Sequence, residues 1–202
     1  MSQKQLTENL IAQGVLKTPE IIRAFLAVDR ADFVWPQDLG AAYEDFPLSI
    51  GQRQTISQPY TVAFMLELLQ PASGGRILDI GSGSGWTTAL LAQIAGREGR
   101  VWGIEIVLEL VRFGSDNLSK YHYPWASIGP AETAIGLEKE APFDRILVSA
   151  AGDALPPGLI DQLKPGGRLV LPVRNSIWLI IKDKKSKITK KEFPGFIFVP
   201  LK

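Results

Sequence analysis

Cysteine is absent from this 202-residue chain, which excludes disulfides, thiolate nucleophiles, thiolate-bound zinc and iron–sulfur clusters. Histidine occurs once, as His122 in Tyr121-His122-Tyr123-Pro124. A multi-histidine metal site is therefore impossible, no metal is expected, and a loop position is the simple reading of His122. Neither charge sign is in excess: 22 Lys and Arg stand against 21 Asp and Glu. That balance leaves no footprint of a general nucleic-acid binder. No apolar run approaches the ~20 residues that span a bilayer. Met1–Leu10 is polar and lacks the apolar stretch of a signal peptide. These absences predict a soluble, cytoplasmic protein with no membrane or nucleic-acid partner. Its length suits one domain with an extension, or two small ones, and is enough to bury a core without staples.

What is present divides at about residue 70. Two short helical patterns open the chain. The second starts at Thr18-Pro19-Glu20, a cap residue followed by proline at the first helical position. Its Ile21, Ile22, Phe25, Leu26 and Val28 form a helical stripe. A loop-like region rich in Pro, Gly and aromatics covers residues 33–56, and a helix follows over 58–69, stopped by Pro71. From Arg76 onward short apolar strand candidates (76–80, 101–105, 126–129, 145–150 and 168–173) alternate with helical stretches (86–95, 107–120 and 157–163). That alternation implies a mostly parallel sheet covered on both faces. The end differs: 177–181 and 196–201 flank a charged connection, as in an antiparallel hairpin. The connection holds Lys182, Lys184, Lys185, Lys187, Lys190 and Lys191. With no aromatic interleaved, it reads as a solvated loop before it reads as an RNA-binding patch.

Leu78-Asp79-Ile80-Gly81-Ser82-Gly83-Ser84-Gly85 is a strand running into a glycine turn and then a helix. Glycines there permit positive φ and close approach of a ligand to the backbone, beside a helix N-terminus. A dinucleotide fingerprint needs its third glycine where Trp86 stands, and an indole there hinders close helix–strand packing. The spacing is wrong for NAD. Glu105 follows Gly81 by 24 residues, at the end of an apolar strand. An acid so placed can accept both ribose hydroxyls of a nucleoside at the sheet's carboxyl edge.

Asp79 with Gly81, Ser82 and Gly83 resembles the first motif of class I S-adenosylmethionine-dependent methyltransferases. Gly51-Gln52-Arg53-Gln54-Thr55-Ile56-Ser57-Gln58-Pro59-Tyr60 is similar to the acceptor-site motif of the protein-L-isoaspartate O-methyltransferases, and so is Ala42-Tyr43-Glu44-Asp45 before it. Ala141-Pro142-Phe143-Asp144, the run Gln162–Leu169 and the closing Phe198-Val199-Pro200-Leu201 agree in order and spacing. The resemblance covers about residue 20 to the end. It implies a Rossmann-like α/β methyltransferase fold, with a C-terminal antiparallel hairpin and an N-terminal helical cap over the cofactor cleft. It also implies a single domain over 1–202, with cap and acceptor loop in 1–70 and cofactor core in 71–202. S-adenosylmethionine would be held by Asp79 at its amino-acid end, by Gly81, Ser82, Gly83 and Glu105 around its ribose, and by Glu132 near the adenine. Ser57 would act on the acceptor, with Thr55 and Ile56 beside it, in a monomer that methylates L-isoaspartyl residues of damaged proteins. Two departures stand out. Ala131-Glu132-Thr133 occupies the place of the family's Gly-Asp-Gly, and Arg53 stands where a small residue is usual.

Carboxylate methylation suits a chain so poor in bases, because a carboxyl of pKa ~3.5 is already ionised at neutral pH. Ser57 also directly precedes a helix, so its hydroxyl could serve as an N-cap, whose positive end favours an anion in either case. Other readings stay open at this point: a methyltransferase for a small molecule or RNA, a nicotinamide oxidoreductase, or a non-catalytic relative.

Overall fold

The computed structural model describes residues 1–132 and 135–199. α1 (Gln3–Ala12) opens with a capping box, in which Ser2 Oγ accepts from Gln5 N and Gln5 Oε1 accepts from Ser2 N. α2 (Pro19–Ala27) begins at the expected proline. Its flanking Thr18 does not cap the helix: the hydroxyl donates to Glu67 Oε2 at 2.7 Å instead. Two 3-10 turns follow, Arg30–Phe33 and Pro36–Ala41, then an antiparallel hairpin of β1 (Leu48–Gly51) and β2 (Gln54–Ile56). The region expected to be loop therefore contains a small sheet. Its strands are too short to show a period. Its turn residues Gln52 and Arg53 adopt left-handed φ of 53° and 59° without the Asn or Gly that normally announces such a turn.

The core elements follow in order: α3 (Pro59–Leu69), β3 (Arg76–Ile80), α4 (Trp86–Ala95), β4 (Arg100–Glu105), α5 (Leu108–Ser119), β5 (Ala126–Pro130), β6 (Phe143–Val148), α6 (Pro157–Asp161), β7 (Leu163–Val173), β8 (Ser176–Lys182) and β9 (Ile188–Pro194). One seven-stranded sheet has the order β5-β4-β3-β6-β7-β8-β9, parallel through β7 and antiparallel from there to β9. Alternate strand residues serve opposite faces. Ile77, Val101, Leu147 and Val170 pack toward the helical layer with Phe25, Leu66 and Leu90. Leu78, Ile146, Leu169 and Ile180 pack on the other face with Leu159 of α6. The chain runs from β3 outward through β4 to β5, then returns to β6 on the other side of β3. That reversal opens a crevice at the carboxyl end of β3, where the glycine turn sits.

The closing hairpin forms, but with a different second strand. β8 pairs with residues 188–194, Ile177 opposite Phe193 and Ile181 opposite Thr189, and not with 196–199. Lys190 and Lys191 are strand residues, while the loop is only Asp183–Lys187, closed by Asp183 Oδ1 accepting from Lys185 N and Lys187 N. Pro200 and Leu201 lie outside the described residues. Trp86 packs away from the sheet, edge-on to Phe25 of α2 at 5.7 Å between ring centres, so the indole leaves α4 free to approach. Close packing comes one residue earlier: a Cβ on Gly85 would lie 2.7 Å from the carbonyl of Gly114 in α5.

Candidate active site

A cavity of about 400 Å³ opens at the crevice. One wall is the glycine turn, where Gly81, Gly83 and Gly85 all have positive φ (78°, 52° and 88°). A Cβ at Gly83 would sit 3.2 Å from Ile50 Cδ1, so the turn and the hairpin close directly on one another. Glu105 ends β4 on the same wall and is only 6% exposed. Its Oε2 accepts from Gly83 N and its Oε1 from Val107 N, both at 3.0 Å. Each oxygen accepts one bond and has capacity for a second, and Glu105 lines the cavity. The carboxylate thereby holds the turn in shape and still presents acceptors to a diol.

Asp79 lies beneath the turn and not on the cavity wall. It is wholly buried, and its Oδ2 accepts from Thr87 Oγ1 at 2.8 Å and Thr88 Oγ1 at 2.6 Å, fastening the start of α4 to the end of β3. Burial pushes its carboxyl up to about 6, against the lowering effect of the two hydroxyls. Asp79 Oδ1, Ser82 Oγ and Trp86 Nε1 are buried without a hydrogen-bond partner among the described residues. Ser82 and Trp86 line the cavity.

The opposite wall is the hairpin. Gln54, Thr55, Ile56 and Ser57 line the cavity together with Ile50. Arg53 sits at the exposed hairpin tip, off the cavity wall. Ser57 is not the cap of α3: Gln58 holds that position, without a side-chain cap bond, and the Ser57 hydroxyl has no hydrogen-bond partner among the described residues. Nor is the helix's positive end left open. Asp45 Oδ1 accepts from Tyr60 N at 2.8 Å, so a carboxylate of the chain itself already occupies the first turn.

Glu132 reaches the cavity rim, with its carboxylate paired to Lys139 Nζ at 2.7 Å and more than half exposed. The resemblance puts Glu132 near the adenine, and nothing in the sequence signals its ion pair with Lys139. Thr133 lies outside the described residues. Ile106, Val107, Ser149 and Ala150 also line the cavity and were missed. Their signal is positional: each directly follows the carboxyl end of β4 or β6.

A family model describing protein-L-isoaspartate(D-aspartate) O-methyltransferases matches residues 1–202. A protein-L-isoaspartate O-methyltransferase of Pyrobaculum neutrophilum is 39% identical over 203 residues, covering 98% of each chain. One from Methanopyrus kandleri is 39% identical over 206 residues, covering 99% of this chain and 91% of its own. Among solved structures, a Plasmodium falciparum protein assigned the same activity, in complex with S-adenosyl-L-homocysteine, superposes with a TM-score of 0.88 at 28% identity. That match covers 100% of this chain and 99% of that one. Sequence and fold agree over the full length, and the chain belongs to the protein-L-isoaspartate(D-aspartate) O-methyltransferase family.

Proposed function

We propose that this protein transfers a methyl group from S-adenosylmethionine to the α-carboxyl of L-isoaspartyl residues in damaged proteins. One observation carries the reading: a single cavity has the glycine turn and Glu105 on one wall and Ser57 with its hairpin on the other. Bound S-adenosylmethionine supplies a methyl group on a positively charged sulfur. Gly81, Ser82, Gly83, Glu105 and Glu132 hold that cofactor directly, and Asp79 acts from below by fixing the turn. The acceptor carboxylate is ionised at neutral pH and needs no base. The chain's task is to orient it and exclude water. Thr55, Ile56 and Ser57 face the acceptor, and the Ser57 hydroxyl, free of the helix, donates to the carboxylate. With Asp45 on the α3 terminus, orientation rests on that hydroxyl more than on the helix dipole. We further infer a single domain over residues 1–202, acting as a cytoplasmic monomer on protein substrates alone. The near-neutral charge supports the lack of a nucleic-acid partner, and among the described residues no helix is long and apolar enough to cross a membrane.

The test is transfer of radiolabelled methyl to an isoaspartyl peptide, with the normal aspartyl peptide as control. Label should enter the first and not the second. Equal labelling of both, or none with cofactor bound, overturns the reading. Calorimetry supplies the cofactor arm: Glu105→Ala should weaken binding by about 10- to 150-fold, the cost of a hydrogen bond to a charged group.

A further inference from the structure

Arg30 is fully buried, in the 3-10 turn after α2. A buried guanidinium ordinarily finds a carboxylate. This one finds none within hydrogen-bonding distance among the described residues; main-chain carbonyls hold its two terminal nitrogens, and Nε is buried without a partner among those residues. Nη1 donates to Ala42 O at 2.7 Å and Glu44 O at 3.4 Å, and Nη2 to Phe46 O at 3.0 Å and Ser57 O at 3.2 Å. Three of those carbonyls lead into the β1–β2 hairpin, and the fourth leads out of it. The guanidinium carbon also lies 5.3 Å from the ring centre of Trp86, which lines the cavity. Burial lowers the Arg30 pKa to about 10, with Asp45 opposing the drop, so the group stays charged at neutral pH.

We propose that Arg30 is a positioning residue for the acceptor: its planar fork ties the two ends of the hairpin together, so that Thr55, Ile56 and Ser57 face the cavity at a fixed distance from the glycine turn. The proposal rests on the reading that this segment meets the acceptor. Only a guanidinium can serve four carbonyls in this spread. A lysine ammonium is a point donor with three protons and spans fewer of them.

Arg30→Lys and Arg30→Met, made in the full chain, test the proposal by three measurements. Cofactor affinity by calorimetry should stay within about twofold of wild type, because no cofactor-facing group is removed, while kcat/KM for an isoaspartyl peptide should fall about tenfold or more. The fall should include a raised KM for the peptide, since a smaller active fraction alone lowers kcat and leaves KM unchanged. Trypsin should cut faster after Arg53 at the hairpin tip, with cutting at Lys184 and Lys185 in the distant β8–β9 loop unchanged. An unchanged KM in folded variants, or a cofactor affinity that falls in step with kcat/KM, overturns the proposal. If neither variant folds, hydrogen exchange of the wild type decides: hairpin amides opening only with those of β3 support the clamp, and independent fast opening refutes it. Were wild-type protein not to methylate the peptide, the acceptor reading itself would fail, and the Arg53 cleavage rates would still report on the clamp.

Discussion

Ser57 stands two residues before α3, its hydroxyl owed to no neighbour among the described residues. Truncating it should therefore be structurally cheap. Ser57→Ala and Ser57→Gly are each expected to change stability by less than about 0.5 kcal/mol, where loss of a true N-cap costs about 1 kcal/mol on going to alanine. Both should bind S-adenosylmethionine as wild type does and methylate an isoaspartyl peptide more slowly. Denaturant melts and single-turnover assays check this, and wild-type turnover in Ser57→Gly removes Ser57 from the acceptor site. Residue type and spacing made Glu105 and the glycines legible before any coordinates. They could not show that Asp79 turns inward to Thr87 and Thr88, because a buried carboxylate and a cavity-facing one read alike in a linear sequence. Glu132 is similar: its partner Lys139 lies seven residues on, across a segment with no helical or strand period to place it.

Among elements, the join of α4 to α5 makes the sharpest demand on sequence. Gly85 has φ of 88°, and a Cβ there would lie 2.7 Å from Gly114 O and 3.0 Å from Ile128 Cδ1. Gly85→Ala combines left-handed strain with a backbone clash, and should cost at least about 2 kcal/mol. Gly129→Ala, in β5 with nothing within 4 Å of the added Cβ, should change stability by no more than about 0.5 kcal/mol. Chemical denaturation of the two variants compares them, and equal stabilities would show that α4 shifts to accept the methyl. The parallel strands were legible because burial on both faces demands continuous apolar runs such as Ile146, Leu147 and Val148. β9 was not: a wet edge strand carries Thr189, Lys190 and Lys191, whereas the apolar Phe196 and Phe198 packed on the core beyond it looked more like the strand. The β1–β2 hairpin escaped for want of length, although its residues, read as a motif, pointed at the acceptor wall.

For the molecule as a whole, buried Asp79 sets part of the dependence of stability on pH. Its carboxyl is raised from 3.8 to about 6 by burial, so the folded state holds this proton more tightly than the unfolded chain. The linkage sign follows: between those values the native state binds more protons, and stability falls as pH rises from about 4 to about 6. Asp144 contributes oppositely, because Arg76 N and Lys164 hold its carboxyl low, but it does so equally in wild type and in Asp79→Asn. The difference between the two proteins should therefore isolate Asp79, with the variant lacking a slope worth on the order of 2–3 kcal/mol across that interval. Urea melts at pH 4, 5 and 6 measure it, and parallel curves would place the Asp79 proton elsewhere. The two rims of the sheet carry a different consequence. β5 is short and ends on Pro130, and β9 presents exposed Lys190 and Lys191 along its free side. An enzyme that methylates isoaspartyl residues works on other protein chains, whose exposed backbone can add to a free strand. Blunted at one rim and charged at the other, this sheet resists being extended by the chains it acts on.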